Sequence, residues 1–352
     1  MKKVLYVSNI EVPYRVRMFN ELSRYCELTV MYERSNSDTR NDTWSKSISS
    51  SFKKIFLDGF KIGAENSVSL KAFKEIFGNY DIIVLGCFNS PLQILMLLFM
   101  RTLNKPYYLN LDGEVFADGK NIKSCLKRFF LKGAYKYLVA GEKSAESLRR
   151  IITKQDVVPY YFSSLSQSDL DRNALAKGMR ERYVLVVGQY QDYKGMDVAF
   201  KAAQKNTDIR YKFIGMGKKT DDFKFKYCPD GQCNVEFIPF LQKEDLENEY
   251  RKCSAFVLPS RQECWGLVIN EAASFGTPIV STKGSGAAVE FLENDYPQFL
   301  SDSDNPDSLY NCIESLLRSD NTEYSRFLLN KSRNYSIEKS VTAHLRAFGI
   351  EG

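Results

Sequence analysis

Short runs of β-branched and aliphatic residues recur along this chain at helix-length intervals, and no other feature restricts its fold as strongly. The first series occupies residues 3–8, 28–32, 54–57, 81–85, 106–111 and 135–140. Between the runs the period becomes helical: over residues 13–26, Tyr14, Val16, Phe19, Leu22 and Tyr25 follow Pro13, a residue suited to a first helical turn. A second series opens at residues 182–187 and continues through 211–214, 235–238, 255–258 and 279–282. Strands alternating with helices pair in parallel, so the chain reads as α/β with two doubly wound parallel sheets. Its 352 residues suffice for two domains of roughly 150 residues each. The serine-rich stretch 163–168 and the polar residues 169–173 carry no strand pattern and read as the join. The expected division is 1–165, 166–334 and a C-terminal helical segment, 335–352, that packs back on the first domain. The tail beyond Pro306 reads as helices over 308–318, 323–334 and 337–348.

Composition narrows the chemistry. A single histidine, His344, removes most Ser/His and Cys/His catalytic pairs and most histidine metal sites. The eight cysteines show no repeated CxxC and read as reduced thiols; Cys228 and Cys233 are the closest pair, and no second pair accompanies them, so no metal is expected. Lysine and arginine number 49 against 43 acids, a net charge of +6 that is mild for this length and argues against a nucleic-acid partner. The N-terminus runs straight into a strand pattern too polar for a signal peptide, and the longest apolar run, 92–100, falls short of the roughly 20 residues of a membrane span. A cytoplasmic protein is expected. Residues 121–150 concentrate Lys123, Lys127, Arg128, Lys132, Lys136, Lys143, Arg149 and Arg150 around Phe129, Phe130 and Leu131, with only Glu142 and Glu146 opposed. That segment is either a solvated helical surface or a face for peripheral contact with anionic membrane.

Ligands of doubly wound sheets bind beyond the carboxyl ends of the strands, so the loops that follow strands carry the functional search. Three stand out in the second half. Pro259-Ser260-Arg261-Gln262-Glu263-Cys264-Trp265-Gly266-Leu267 leaves the strand 255–258 and enters a helix that Gly276 and Pro278 stop. Glu263 sits in the loop, and Glu271 lies inside the helix, roughly 8 Å along its axis at about 1.5 Å per residue. A carboxylate there accepts hydrogen bonds from a ribose diol, while the other reaches hydroxyls further along a ligand. Gly188-Gln189-Tyr190-Gln191-Asp192-Tyr193-Lys194-Gly195 follows the first strand of this half and offers Lys194 to a phosphate. Gly284-Ser285-Gly286 opens a helix whose first N–H groups suit a diphosphate without metal, and Gly215 and Gly217 lie in the loop after strand 211–214.

Taken in this order the motifs resemble the family 4 retaining glycosyltransferases of the GT-B architecture, in which two Rossmann-like domains face across a cleft. The resemblance is dense in the second half and carried chiefly by Glu263 and Glu271 within Pro-Ser-x-x-Glu-x-x-Gly-Leu and Glu-Ala-x-x-x-Gly-x-Pro. It implies that Glu263 contacts the donor sugar, Glu271 the ribose and Lys194 the diphosphate. Gly188, Gln189, Gly215, Gly217, Gly266, Leu267, Ser285 and Gly286 complete the donor site. Where the family commonly has an arginine, this chain has Gln189, so Arg15 becomes a further phosphate or acceptor candidate, with an ordinary surface arginine as its alternative. In the looser first half, Asp112 at the end of strand 106–111 is the carboxylate expected near the acceptor, with Glu114 next in line; the bland alternative is an Asp-Gly turn at Gly113. The implied reaction moves a sugar from a nucleotide diphosphate donor, UDP foremost, to a hydroxyl of a glycan or polyprenyl-linked glycan in capsule or O-antigen type surface polysaccharide synthesis. It needs no cofactor or metal. Two rivals stand beside it: a GT-B nucleotide-sugar epimerase and a nucleotide-sugar-binding protein without catalysis.

Overall fold

The computed structural model describes residues 1–351 apart from 36–48, 63–65, 114–121, 154, 177, 216 and 232. The chain divides into two compact units, Met1–Ser164 with Ile337–Gly352, and Leu165–Ser336. In the first unit, strands β1 (Lys3–Ile10), β2 (Glu27–Arg34), β3 (Lys53–Phe56), β6 (Ile82–Leu85), β7 (Tyr108–Leu111), β8 (Lys136–Ala140) and β9 (Asp156–Tyr160) form one sheet in the order β3-β2-β1-β6-β7-β8-β9. Every pairing is parallel, with Val4 opposite Leu28 on one side of β1 and Ile82 on the other. Strands β4 (Phe60–Ile62) and β5 (Asn66–Val68) make a separate antiparallel pair.

The helices follow from their apolar faces. In α3 (Pro91–Thr102), Leu92, Met96, Leu97 and Met100 are fully buried, each contributing about 1.5–3 kcal/mol by leaving water. The helix stops where Asn104 takes a φ of 50°, a left-handed conformation that asparagine tolerates. Gln93, which interrupts the apolar run, is buried too because its amide serves Glu33: Nε2 donates to Oε1 at 2.9 Å. The last helix, α14 (Ile337–Phe348), belongs to this first unit: the Lys2 ammonium donates to the Phe348 carbonyl at 2.8 Å and the ring of Tyr108 packs edge-on against Phe348. His344 is buried on the same helix, 2.9 Å from the Asn110 amide oxygen, and burial pushes its pKa down to about 3, which keeps the ring neutral.

In the second unit, β10 (Glu181–Val187), β11 (Arg210–Ile214), β12 (Val235–Ile238), β13 (Cys253–Leu258), β14 (Ile279–Thr282) and β15 (Leu300–Ser301) form a parallel sheet in the order β12-β11-β10-β13-β14-β15. Phe200 on α7 (Met196–Ala203), Phe213 on β11 and Phe223 on α8 (Thr220–Tyr227) pack with ring centroids 5.8 to 6.3 Å apart, holding both helices against one face.

The structure departs from the sequence reading in the unread strands β4, β5, β9 and β15 and in one cysteine pair. Strand β9 went unread because Pro159 interrupts it, and a proline is tolerated there since β9 is the outermost strand. Cys228 and Cys233 are joined as a disulfide, which corrects the expectation of reduced thiols throughout. The turn at Gly231, with φ of 67°, brings their Cα atoms within 6.4 Å.

Candidate functional site

In the second unit the chain leaves β10 outward to β11 and β12, then returns beside β10 as β13, so the loops after β10 and β13 diverge at a topological switch point. Both loops carry charge there. After β10, a short 3-10 turn (Asp192–Lys194) leads through Gly195 into α7. Gly195 has φ of 65°, and a Cβ at that position would lie 2.0 Å from the Pro259 carbonyl oxygen, so only glycine allows the two loops to come this close. The Tyr193 carbonyl then accepts from the backbone N–H groups of Arg261 at 2.8 Å and Gln262 at 3.2 Å. This lacing sets the Lys194 ammonium against the Glu263 carboxylate as an ion pair in which each side chain keeps 19% of its exposure.

The third loop joins them. The Glu263 N–H donates to the Gly284 carbonyl at 2.8 Å, and the Gly286 N–H donates to the Glu263 carbonyl at 3.2 Å. Ser285 donates through Oγ to the Trp265 carbonyl at 2.9 Å, and the same oxygen caps α11 (Gly286–Leu292) by accepting from the Ala288 N–H. Gly266, with φ of 101°, turns the chain into α10 (Leu267–Ser274), whose second turn holds Glu271 with the Tyr250 hydroxyl 3.4 Å away. Gly215 ends β11 close against Gly188, and Gly217 follows in the same loop. Every donor-site residue expected from the sequence thus lies at the carboxyl edge of this one sheet. A cavity of about 930 Å³ in the same unit lies instead at the amino ends of the strands, beside Arg180, Arg182, Ser254 and Pro278, and none of the expected donor-site residues lines it.

Such an edge can hold an extended polyanion. It supplies the Lys194 ammonium, N–H groups at the start of α10 and two carboxylates for hydroxyl groups. Among the described residues no group of three or more His, Cys, Asp or Glu side chains could hold a metal ion.

Residues 167–335 match the family model of glycosyl transferases group 1. The second unit is a glycosyltransferase group 1 domain. Over 181 residues the chain is 31% identical to an uncharacterized glycosyltransferase of Haemophilus influenzae, covering 49% of this chain and 50% of that protein. It is 26% identical over 298 residues to an uncharacterized glycosyltransferase of Methanocaldococcus jannaschii, covering 81% and 77% of the two chains. The alignment therefore spans half the length of the first of these relatives and about three-quarters of the second. In fold the chain is similar to Anabaena Alr3699/HepE, solved in complex with UDP-glucose, at a TM-score of 0.65 over 99% of this chain and 100% of that one, with 14% identity. The architecture is GT-B.

Sequence reasoning passed over one residue of the glycosyltransferase domain that its loops depend on. Arg261 donates from Nη1 and Nη2 to the two carboxylate oxygens of Asp197 at 2.8 Å each, from Nη1 to the Asp192 carbonyl at 2.5 Å, and from Nε to Asp304 at 2.7 Å. Burial raises the Asp197 pKa, but the hydrogen bonds and charge of Arg261 outweigh it and leave that carboxyl below its ordinary range. The only available signal was the position of Arg261 inside the Glu263 motif, since its partners lie 64 and 43 residues away.

In the first unit, Asp112 follows β7 and its Oδ1 accepts from the Arg15 guanidinium, from the Tyr160 hydroxyl at 2.9 Å and from the Asn110 amide at 3.1 Å. Arg15 is not the surface arginine of the alternative reading: it is 5% exposed on α1 (Pro13–Leu22), with its guanidinium also over the Phe162 ring at 5.0 Å. Gly113 has φ of 100°. Glu114 lies outside the described residues.

A second polar cluster in this unit was also unread. Glu33 is fully buried, and its carboxylate accepts from Ser90 Oγ at 2.6 Å, Gln93 Nε2 at 2.9 Å and the Ser67 N–H at 3.2 Å. Burial raises its pKa despite these donors.

Proposed function

We propose that the chain is a family 4, retaining, metal-independent glycosyltransferase that moves a sugar from a nucleotide diphosphate donor to a hydroxyl of a glycan or lipid-linked glycan in surface polysaccharide synthesis. The observation that carries this reading is the meeting of Lys194 with Glu263 at the switch point of a glycosyltransferase group 1 domain, with Glu271 on the adjoining helix. The UDP-glucose complex of the similar Anabaena structure favours UDP as the nucleotide.

In this reading the donor exchanges the partners of an existing ion pair. Its diphosphate takes Lys194 and the N–H groups at the start of α10, those of α11 being bonded to Glu263, Trp265 and Ser285, and Glu263, released from the ammonium, accepts from sugar hydroxyls. Glu271 accepts from the ribose diol. As the sugar–oxygen bond breaks, charge grows on the departing diphosphate, and Lys194 with the fixed N–H groups stabilises it where it develops. The departing oxygen takes the acceptor proton on the same face of the sugar, which retains configuration. Asp112 is the residue assigned to orient the acceptor hydroxyl, from a carboxylate that Arg15, Tyr160 and Asn110 hold in place.

No helix among the described residues is long and apolar enough to cross a membrane. Peripheral contact with anionic lipid on the cytoplasmic side is assigned to the basic segment around α4 (Ile122–Leu131), where Leu126 and Phe129 are 50% and 56% exposed beside Lys127 and Lys132.

The test is a thermal-shift screen of nucleoside diphosphates and their sugars, in which a ligand at 100 times its dissociation constant stabilises the protein by about 2.7 kcal/mol. A melting curve that no nucleoside diphosphate moves ends the donor-site reading. Gln189 in place of the family's arginine favours a second reading, a donor-binding protein without catalysis. Sugar transfer to an acceptor extract, measured with a donor that the screen selects, decides between them.

A further inference from the structure

Arg261 is not placed to meet a ligand; its side chain faces other protein groups. Its guanidinium spans three segments distant in sequence: the turn that carries Lys194, through the Asp192 carbonyl; the first turn of α7, through both oxygens of Asp197; and the loop before α12 (Pro306–Arg318), through Asp304. Its own backbone N–H adds a fourth tie, to the Tyr193 carbonyl at 2.8 Å. A planar guanidinium offers donors in a fixed fork, so these bonds define an orientation as well as an attraction. The turn they hold ends in Lys194, one residue after Tyr193, and Arg261 is itself two residues before Glu263. The cation and the carboxylate of the donor site are therefore referenced to the same guanidinium.

We propose that Arg261 is a positioning residue that fixes the Lys194 turn against the Glu263 loop and so sets the affinity for the donor's diphosphate without touching it. This rests on the donor-site reading above. The Asp197–Arg261 pair keeps 17% and 26% of its side-chain exposure, and its two parallel N–H···O bonds hold the fork's geometry. If the clamp is lost, the Lys194 ammonium remains attached to a turn that samples several positions, and an ammonium on a flexible stem supplies less of its charge at the required point. Contacts to base and ribose, which do not run through this turn, should be unaffected.

The experiment compares UDP with UMP by calorimetry on the full chain in wild type, Arg261→Lys and the double variant Arg261→Gln with Asp197→Asn. The double variant removes the clamp without leaving a half-buried carboxylate unpaired, and its melting temperature reports whether it is folded. In the double variant UDP should weaken about tenfold while UMP stays within about twofold, because the loss falls on the interaction that positions the second phosphate. Arg261→Lys keeps the charge but not the fork and should fall between wild type and the double variant. Equal weakening of UDP and UMP, or no change in either, makes Arg261 a fold element alone and overturns the proposal. Arg261→Lys indistinguishable from wild type overturns the forked clamp in favour of a single charge. Wild type that binds neither nucleotide brings down the donor-site reading first and this inference with it, an outcome separate from the other two.

Discussion

Two ion pairs, one in each unit, join a cation to a carboxylate at the carboxyl end of a strand, yet they are built for different purposes. Arg15–Asp112 is a networked pair: the arginine side chain is 6% exposed with its guanidinium over Phe162, and Asp112, 33% exposed, holds Tyr160 and Asn110 as well. Asn110 in turn meets the neutral His344. Lys194–Glu263 joins a flexible ammonium to a carboxylate whose other side-chain neighbour is Ser260, 3.5 Å away, and both partners keep contact with water. A pair embedded in a network resists exchange because removing one member leaves the others desolvated and unmatched. A pair with few other partners exchanges them at less cost. The difference teaches that two carboxylates at strand ends can be held in different ways, Asp112 by a network that fixes its orientation and Glu263 by a cation that it can give up.

That contrast can be broken by substitution. Arg15→Leu should destabilise the first unit by about 1–3 kcal/mol, measured by urea unfolding, because Asp112, with Tyr160 and Asn110, is left without its cation. Lys194→Leu should cost less in the same measurement, because Glu263 has fewer other partners to leave unmatched; equal losses would erase the distinction. Turnover should reverse the ranking. Lys194→Ala should lower kcat by about 10²–10³ with the melting temperature nearly unchanged, as expected when a preorganised charge is lost from the transition state. Glu271→Ala should weaken donor binding by about 1.5–3 kcal/mol in calorimetry, the worth of a hydrogen bond to a charged acceptor; an unchanged affinity would move the ribose elsewhere. The dependence on pH sharpens the first-unit side. His344 titrates near 6.5 when unfolded and is pushed down to about 3 by burial. Its contribution to stability is therefore fully present above pH 6.5 and is lost as pH falls toward 3, because the unfolded chain takes up the proton first. The slope should reach at most about 1.4 kcal/mol per pH unit. His344→Gln should remove that part of the acid sensitivity, and an unchanged pH profile of unfolding would show that the ring does not stay neutral.

The uneven legibility of the molecule has the same origin as the contrast between the pairs. β10 was readable because Val184, Leu185, Val186 and Val187 are buried in a central strand covered on both faces, which requires an unbroken apolar run. β15, only two residues long, and the β4–β5 pair, whose first strand is exposed, gave no such pattern. Glu263 and Glu271 were readable because they lie on one loop and the helix it enters, where spacing along the chain translates directly into spacing in space.

Local periodicity and turn chemistry thus determined, from the amino-acid order alone, that the chain forms alternating strands and helices and that its sharpest motifs lie on loops after strands. The tertiary structure alone decided which of those loops meet. Lys194 and Glu263 are 69 residues apart and come together because β13 returns to the side of β10. Arg261 acquires its partners, and Arg15 its burial, by the same route. Cys228 and Cys233 show the principle over a shorter reach, since their pairing depends on the turn between them. The physical reason is that backbone conformation responds to near neighbours, whereas ion pairing and burial depend on which segments the sheet order places side by side.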